Sequence, residues 1–351
     1  MQGTVSFHPI DTSFFERIVG PLVAGEKVNP ESYLDTAIRV RDTAWESWRY
    51  KLALESQLDL LVPPPPPDEG TMWQKVRARL EKFDFKPDPL AVRVGETVEP
   101  DLHLHGRPFL ITEGSADRVA LLVDEYLKAS GPAAVKSLVL EQLVRLDPEM
   151  GSGIEPEDPE DASNRMIFRR ELLSSLKGLF DLAQAARQGD HWGTDGGDRL
   201  PAADLLPREL PWLAVDLHSR CVPFWIGRNV DGLETVCRAA GVDSPDCMTP
   251  AWRLFSRACE EFPALREALG FELKSERSVG AMVSPDRIPD LISFLSAAGS
   301  KIIQAATQHG EGKTCATLLR KIRECARYAE RHGMGYLEAA GVRPLHEVDS
   351  F

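Results

Sequence analysis

The chain has 351 residues, 43% of them hydrophobic and 27% charged, a balance typical of globular proteins that bury a core. No apolar run approaches the roughly 20 residues that cross a bilayer, and the N-terminal segment lacks the basic and apolar regions of a secretory signal. We therefore expect a cytoplasmic protein with no membrane contact. The formal net charge of −13 argues against a nucleic-acid partner, which needs clustered Lys and Arg, and leaves room for a basic protein partner.

The N-terminal segment predicts a strand followed by two helices. "TVSFHPI", residues 4–10, favours a short strand, and Asp11 is a good N-cap for a helix that ends near Gly25. Pro30 begins a longer helix, in which large apolar residues recur at three- and four-residue spacing. We interpret this stripe as core packing; its members are Leu34, Ile38, Trp45, Trp48 and Leu52.

The segment "PDLHLHG" is the first that suggests chemistry. Side chains alternate along a strand, so Asp101, His103 and His105 would share one face. The segment resembles the opening of the amidohydrolase barrels, where a His-any-His pair ends the first strand. That resemblance implies a metal-dependent hydrolase with His103 and His105 as metal ligands. It covers these few residues, and the rest of the chain lacks the regular alternation of strands and helices that such a barrel requires.

Two irregular segments suggest how the chain is organised. Residues 147–164 are acidic and rich in Pro and Gly, which is typical of a linker or a long surface loop. The sequence therefore predicts an N-terminal domain over 1–150 and a C-terminal domain over 165–351. A helix that ends at Gly189 begins the second domain, and residues 190–210 are interpreted as a turn-rich loop.

A repeat links the two predicted domains. Asp101 and His103 in "PDLHLHGRPFLI" match Asp216 and His218 in "VDLHSRCVPFWI", and the Pro-Phe and Ile positions also match. Each unit, over 98–131 and 213–241, is predicted to fold as strand, turn, strand and helix, with each His on a strand beside its Asp. Because Arg220 stands where the first copy has His105, a metal pair would belong to one half only. The alternatives left open are a structural Asp–His pair and a shared cleft that holds both His103 and His218.

The segment "GEGKTCATLLRKI" resembles the end of a phosphate-binding loop. Thr307 stands where that motif needs its first Gly, and too little chain follows for the remaining sheet, so we expect no nucleotide binding. A weaker hypothesis is an anion site at the helix start, formed by Gly312, Lys313 and Thr314, with Arg320 nearby. The helix is predicted to bury an apolar stripe, and its basic residues, among them Lys321, to lie largely on other faces.

The six cysteines lack the spacing of a zinc knuckle or a redox motif, so we interpret them as core thiols. The sequence predicts a helix-rich α+β protein with short, mainly antiparallel strands, an internally duplicated strand-hairpin-helix unit and no cofactor. The leading functional hypothesis is a binding or regulatory protein without catalysis, such as an antitoxin-like or immunity-like protein that binds another protein. The alternative is a hydrolase, possibly metal-dependent, that uses Asp101, His103, Asp216 and His218. The oligomeric state is left open.

Overall fold

The computed structural model describes residues 5–41, most of residues 162–342 and a few short segments between them. The described residues are 5–41, 102–104, 107–108, 162–193, 199–222, 224–229, 231–271, 273 and 277–342, with the single positions 125, 134, 137, 138 and 141. Contacts between residues separate one compact unit, residues 1–41, 101–107 and 161–351, from a second that holds residues 42–100 and 108–160. Residues 1–41 thus fall in the same unit as residues 161–351. The division near 150–165 that the sequence indicates stays a prediction.

Short antiparallel strands form two sheets, as the sequence predicted. The larger sheet has seven strands in the order β3-β2-β6-β1-β9-β8-β7, and β4 and β5 form a separate hairpin. The strands are β1 (Val5–Ile10), β2 (Leu102–Leu104), β3 (Arg107–Pro108), β4 (His191–Gly193), β5 (Arg199–Pro201), β6 (Phe224–Asn229), β7 (Thr249–Pro250), β8 (Ser278–Val283) and β9 (Gly335–Ala340).

Helices make up most of the remaining described chain. They are α1 (12–23), α2 (31–41), α3 (Ala162–Gln188), α4 (Ala202–Ser219), α5 (Leu233–Ala239), α6 (Ser256–Glu261), α7 (Ala264–Ala268), α8 (Ile288–Gln308) and α9 (Gly312–His332). The middle turn of α1, Phe15–Val19, is a π-helical turn. The helix-rich α+β class predicted from the sequence is confirmed.

The N-terminal elements match their prediction. β1 is followed by Asp11, whose carboxylate accepts a hydrogen bond from the Ser13 amide at 2.9 Å, as expected of an N-cap. Gly25 follows α1 with φ of 78°, the left-handed conformation that glycine adopts at little cost. α2 buries Leu34, and Ile38 packs against the same core. The tryptophans predicted to continue the stripe lie outside the described residues.

β1 is a central strand, paired with β6 on one side and β9 on the other, and both of its faces are buried. Phe7, on one face, stacks on Tyr336 of β9, and α9 packs against this part of the sheet. Ile10, on the other face, joins a core that includes residues of α1, α3 and α4. Helices therefore cover both faces, which explains why even the polar side chains of β1 are enclosed.

The second copy of the predicted repeat does not begin with a strand. Asp216 and His218 lie in the last turn of α4, whereas Leu102–Leu104 is a strand as predicted. The predicted strand at Asp216–His218 is therefore wrong, and the two DLH motifs differ in local structure. β2 and β6 instead pair with each other, with His103 opposite Trp225. Residues 109–131, with the exception of Glu125, lie outside the described residues, so a wider duplication stays a prediction.

Two other segments depart from the sequence-based interpretation. Residues 190–210, expected to be a loop, contain the β4–β5 hairpin and the first half of α4. The two prolines inside α4, Pro207 and Pro211, mask its helical pattern because a proline removes an N–H from the helical ladder. In α9 the predicted apolar stripe is buried as expected, but Lys321 is buried as well.

Candidate functional site

Asp216 and His218, in the second copy of the DLH motif, make different contacts. Asp216 accepts a hydrogen bond from the Arg220 guanidinium at 3.1 Å, whereas His218 points into the core and is 1% exposed. Positions i and i+2 of a helix face different sides, so the predicted same-face Asp–His pair is wrong for this copy. Asp101 and His105 lie outside the described residues, as does the side chain of His103. The shared cleft for His103 and His218 therefore stays untested.

His218 fixes the junction between β1 and α1. Its Nε2 accepts a hydrogen bond from the backbone N–H of Asp11 at 3.0 Å, so in the neutral ring the proton is carried by Nδ1. That Nδ1 is buried without a hydrogen-bond partner among the described residues. The ring packs against Phe14 and Phe15, with ring centroids 5.4 and 5.5 Å away. His218 thus holds Asp11, the residue that caps α1, in place. The His218 ring itself is closed off from solvent.

A second buried histidine, His8 of β1, lies on the same face of the sheet. Its Nε2 is 2.7 Å from Ser6 Oγ, and Ser6 Oγ donates to the carbonyl of Ala339 at 3.2 Å. Burial, and to a smaller extent the nearby His218, lower the pKa of His8 to about 3. Burial also lowers the pKa of His218 to about 4, while Asp11 opposes the shift. We call Ser6, His8 and His218 the histidine cluster; it is neutral near pH 7.

The histidine cluster contains a serine beside an imidazole, a pair that can form a nucleophile and a base. Ser6 is 2% exposed and His8 1% exposed. A general base must come within hydrogen-bond reach of a substrate proton, and this enclosed position gives a substrate no approach. Cys221, after α4, is partly buried: its Sγ donates to the Tyr33 carbonyl, and burial raises the pKa of the thiol well above its usual value. The thiolate needed for nucleophilic attack is therefore strongly disfavoured.

A different polar group lies on the opposite face of β9. Glu338 Oε1 accepts hydrogen bonds from the backbone N–H of Leu233 at 3.0 Å and from the Tyr336 hydroxyl at 2.9 Å. Burial raises the pKa of Glu338 to about 7, while these two hydrogen bonds lower it. A Cβ on Gly232 would overlap Oε2 of Glu338, so a larger residue there would force the carboxylate to shift. We call Glu338, Tyr336 and the Leu233 N–H the glutamate cluster; it anchors the start of α5 to the sheet.

An open cleft lies beside that anchor, between α5, the end of α8 and the start of α9. Its volume is about 330 Å³. The rim carries Asp231 and Glu311, and the wall is mainly apolar. Burial raises the pKa of Asp231, and the nearby Glu311 carboxylate raises it further. We call this the acidic cleft; its lining residues are Asp231, Thr235, Val236, Ala239, Ala240, Ile302, Ala305, Ala306, His309, Glu311, Thr314, Cys315 and Leu318.

The predicted anion site borders this cleft. Gly312 is the first residue of α9, and Thr314 lines the cleft, while the side chain of Lys313 lies outside the described residues. Arg320 lies farther along α9, with its guanidinium 4.0 Å from the buried Glu324 carboxylate. Two carboxylates at the cleft disfavour an anion there, although a free helix N-terminus alone favours one.

Within the described ranges, no group of three His, Cys, Asp or Glu side chains could hold a metal ion. The described part also contains no helix long and apolar enough to span a bilayer. No family model, curated protein or solved structure matches the chain.

Sequence reasoning missed the glutamate cluster and the acidic cleft. The alternation in "GYLEAA" gave a signal for the first, since it places Tyr336 and Glu338 on one face of a short strand. It could not show that Gly232, 106 positions before Glu338, would meet that carboxylate. The cleft brings together three segments separated along the chain, so no local pattern indicated it.

Proposed function

We propose that the protein is a cytoplasmic binding or regulatory protein that acts on another protein and catalyses no reaction. An antitoxin-like or immunity-like inhibitor is the class that suits it best. The observation that carries the proposal is the placement of His218. His218, the histidine of the second DLH motif, packs against Phe14 and Phe15, and its Nε2 accepts a hydrogen bond from the Asp11 N–H. A residue used in this way supports the fold and is not available to a substrate.

The charge of the chain supports a basic partner. A net charge of −13 creates a field that speeds the approach of a positively charged protein and weakens as salt is added. An inhibitor that masks a basic active surface would use this attraction for rapid association.

The test is capture of partners by the tagged full chain in its native host, followed by reconstitution from purified components. We expect a stoichiometric complex whose association rate falls at least tenfold between about 50 and 500 mM salt. The purified chain should contain no stoichiometric transition metal by elemental analysis. A stoichiometric metal together with metal-dependent hydrolysis of a substrate would overturn the proposal and favour the hydrolase alternative.

A further inference from the structure

The acidic cleft has the size and the polarity of a site for a small ligand. Pockets for small molecules usually enclose about 300–1,000 Å³ and combine an apolar wall with a few polar groups. The cleft, at about 330 Å³, lies at the small end of that range. Val236, Ile302 and Leu318 contribute to the apolar wall of the cleft. Its acidic lining residues are Asp231 and Glu311.

The charge of the cleft indicates what the ligand carries. Asp231 and Glu311 both line the cleft, and neither forms an ion pair with a described residue. Burial raises the pKa of Asp231, and the nearby negative charge of Glu311 adds to this effect. A cation placed beside both carboxylates would be attracted by each of them. The N-terminus of α9 contributes the opposite sign, but it is equivalent to only about half a positive charge, less than either carboxylate carries when ionised.

We infer that the acidic cleft binds a small primary alkylamine, with the ammonium group between Asp231 and Glu311 and the alkyl stem against the apolar wall. An ammonium donates three hydrogen bonds and so can satisfy both carboxylates and the Thr235 or Thr314 hydroxyl. The small volume favours a free amine over a lysine side chain of a protein, which would bring its backbone and neighbouring residues to the rim. This inference goes beyond the proposed function and does not depend on the identity of a protein partner.

The experiment is calorimetric titration of the full chain at pH 7.5 and low salt with n-pentylamine as the probe. The neutral isostere n-pentanol is the control for the apolar wall alone. We expect pentanol to bind at least tenfold more weakly than pentylamine, because it lacks the charge-assisted hydrogen bonds. Pentylamine binding should also weaken as salt is added, since the rim charges are open to solvent.

Two variants test the assigned carboxylates. Asp231→Asn and Glu311→Gln should each weaken pentylamine binding about tenfold, because a charged partner is replaced by a neutral amide of similar shape. Asp243→Asn removes the same charge from an exposed loop outside the lining and should bind like the parent. All three variants should keep the parent's melting temperature, so a loss of binding reports on the site.

Three results would overturn the inference. Equal binding of pentanol and pentylamine would show that the charge plays no part. Unchanged binding in both Asp231→Asn and Glu311→Gln, or an equal loss in Asp243→Asn, would place the amine elsewhere. If Nα-acetyl-lysine N-methylamide binds as tightly as pentylamine, the cleft accepts a side chain with its backbone, and the free-amine assignment is wrong.

Discussion

The histidine cluster and the glutamate cluster lie on opposite faces of the same pair of central strands. Both are almost fully enclosed: His8 and His218 are each 1% exposed, and Glu338 is 2% exposed. Both also use a side chain to bind a backbone N–H at the start of a helix, that of Asp11 before α1 and that of Leu233 in α5. They differ in the charge that the buried group would carry.

That difference gives the two clusters opposite responses to pH. Burial disfavours the charged form of any group, so it lowers the pKa of the histidines to about 3 and 4 and raises that of Glu338 to about 7. The histidines are therefore neutral throughout the physiological range. Glu338 exchanges its proton near neutral pH, which makes it the pH-responsive group of the two clusters.

The largest effect is expected for His218→Ala. The substitution removes a ring that packs against Phe14 and Phe15 and leaves the Asp11 N–H without its acceptor. We expect the free energy of unfolding to fall by about 4 kcal/mol, from the lost packing together with the unpaired donor. Denaturant unfolding of the full chain at pH 8 measures this loss.

His191→Ala is the matched control, because His191 is exposed on the β4–β5 hairpin. Its effect should stay within about 0.5 kcal/mol. If His218→Ala unfolds like the parent, the structural role assigned to His218 is incorrect, and a loss of function without a loss of stability would point to a chemical role.

The next effect concerns pH. The pKa of Glu338 is higher in the folded chain, at about 7, than the ordinary value of 4.5, so the folded state binds more protons between these values. Its contribution to stability is present below pH 4.5 and is lost as pH rises through about 7, a change on the order of 3 kcal/mol. Glu338→Gln should remove this loss, so the variant should gain stability relative to the parent between pH 5 and pH 8.

The histidines should act with the opposite sign over a pH window that overlaps that of Glu338. Their contribution is present above pH 6.5 and is lost as pH falls toward 4 and 3, because the unfolded chain binds the proton more readily. Glu338→Gln should therefore leave a steeper rise of stability with pH than the parent shows. Parallel pH profiles for the parent and the variant would show that Glu338 has an ordinary pKa.

A smaller effect is expected for Gly232→Ala, which tests how closely the glutamate cluster is packed. The added Cβ would overlap Oε2 of Glu338, and the backbone φ of −86° is itself acceptable for alanine. We expect a loss of about 2 kcal/mol from overpacking. Gly178→Ala is the control, since a Cβ there meets no atom within 4 Å inside α3, and alanine should raise stability by up to about 1 kcal/mol. Equal effects of the two substitutions would contradict the close contact.

Local rules were enough to predict the elements around the histidine cluster. β1, the Asp11 cap and the end of α1 near Gly25 follow from alternation, N-cap chemistry and the glycine preference of a helix end. The position of His218 did not follow, because two prolines obscured α4 and the match to the first DLH motif favoured a strand. His218 acts through the Asp11 N–H, a contact across 207 positions that no short pattern encodes.

The central place of β1 also sets the order in which the chain can fold. Ser6 and Ala339, which are hydrogen-bonded partners in adjacent strands, are 333 positions apart. A ribosome adds about 5–20 residues per second, so tens of seconds pass between the synthesis of the two. During that interval β1, which is buried along its whole length in the finished sheet, has no neighbour on its β9 side. The sheet can therefore be completed only after residues 335–340 have been synthesised, and until then Val5, Phe7 and Ile10 lack the strand that covers β1 on that side.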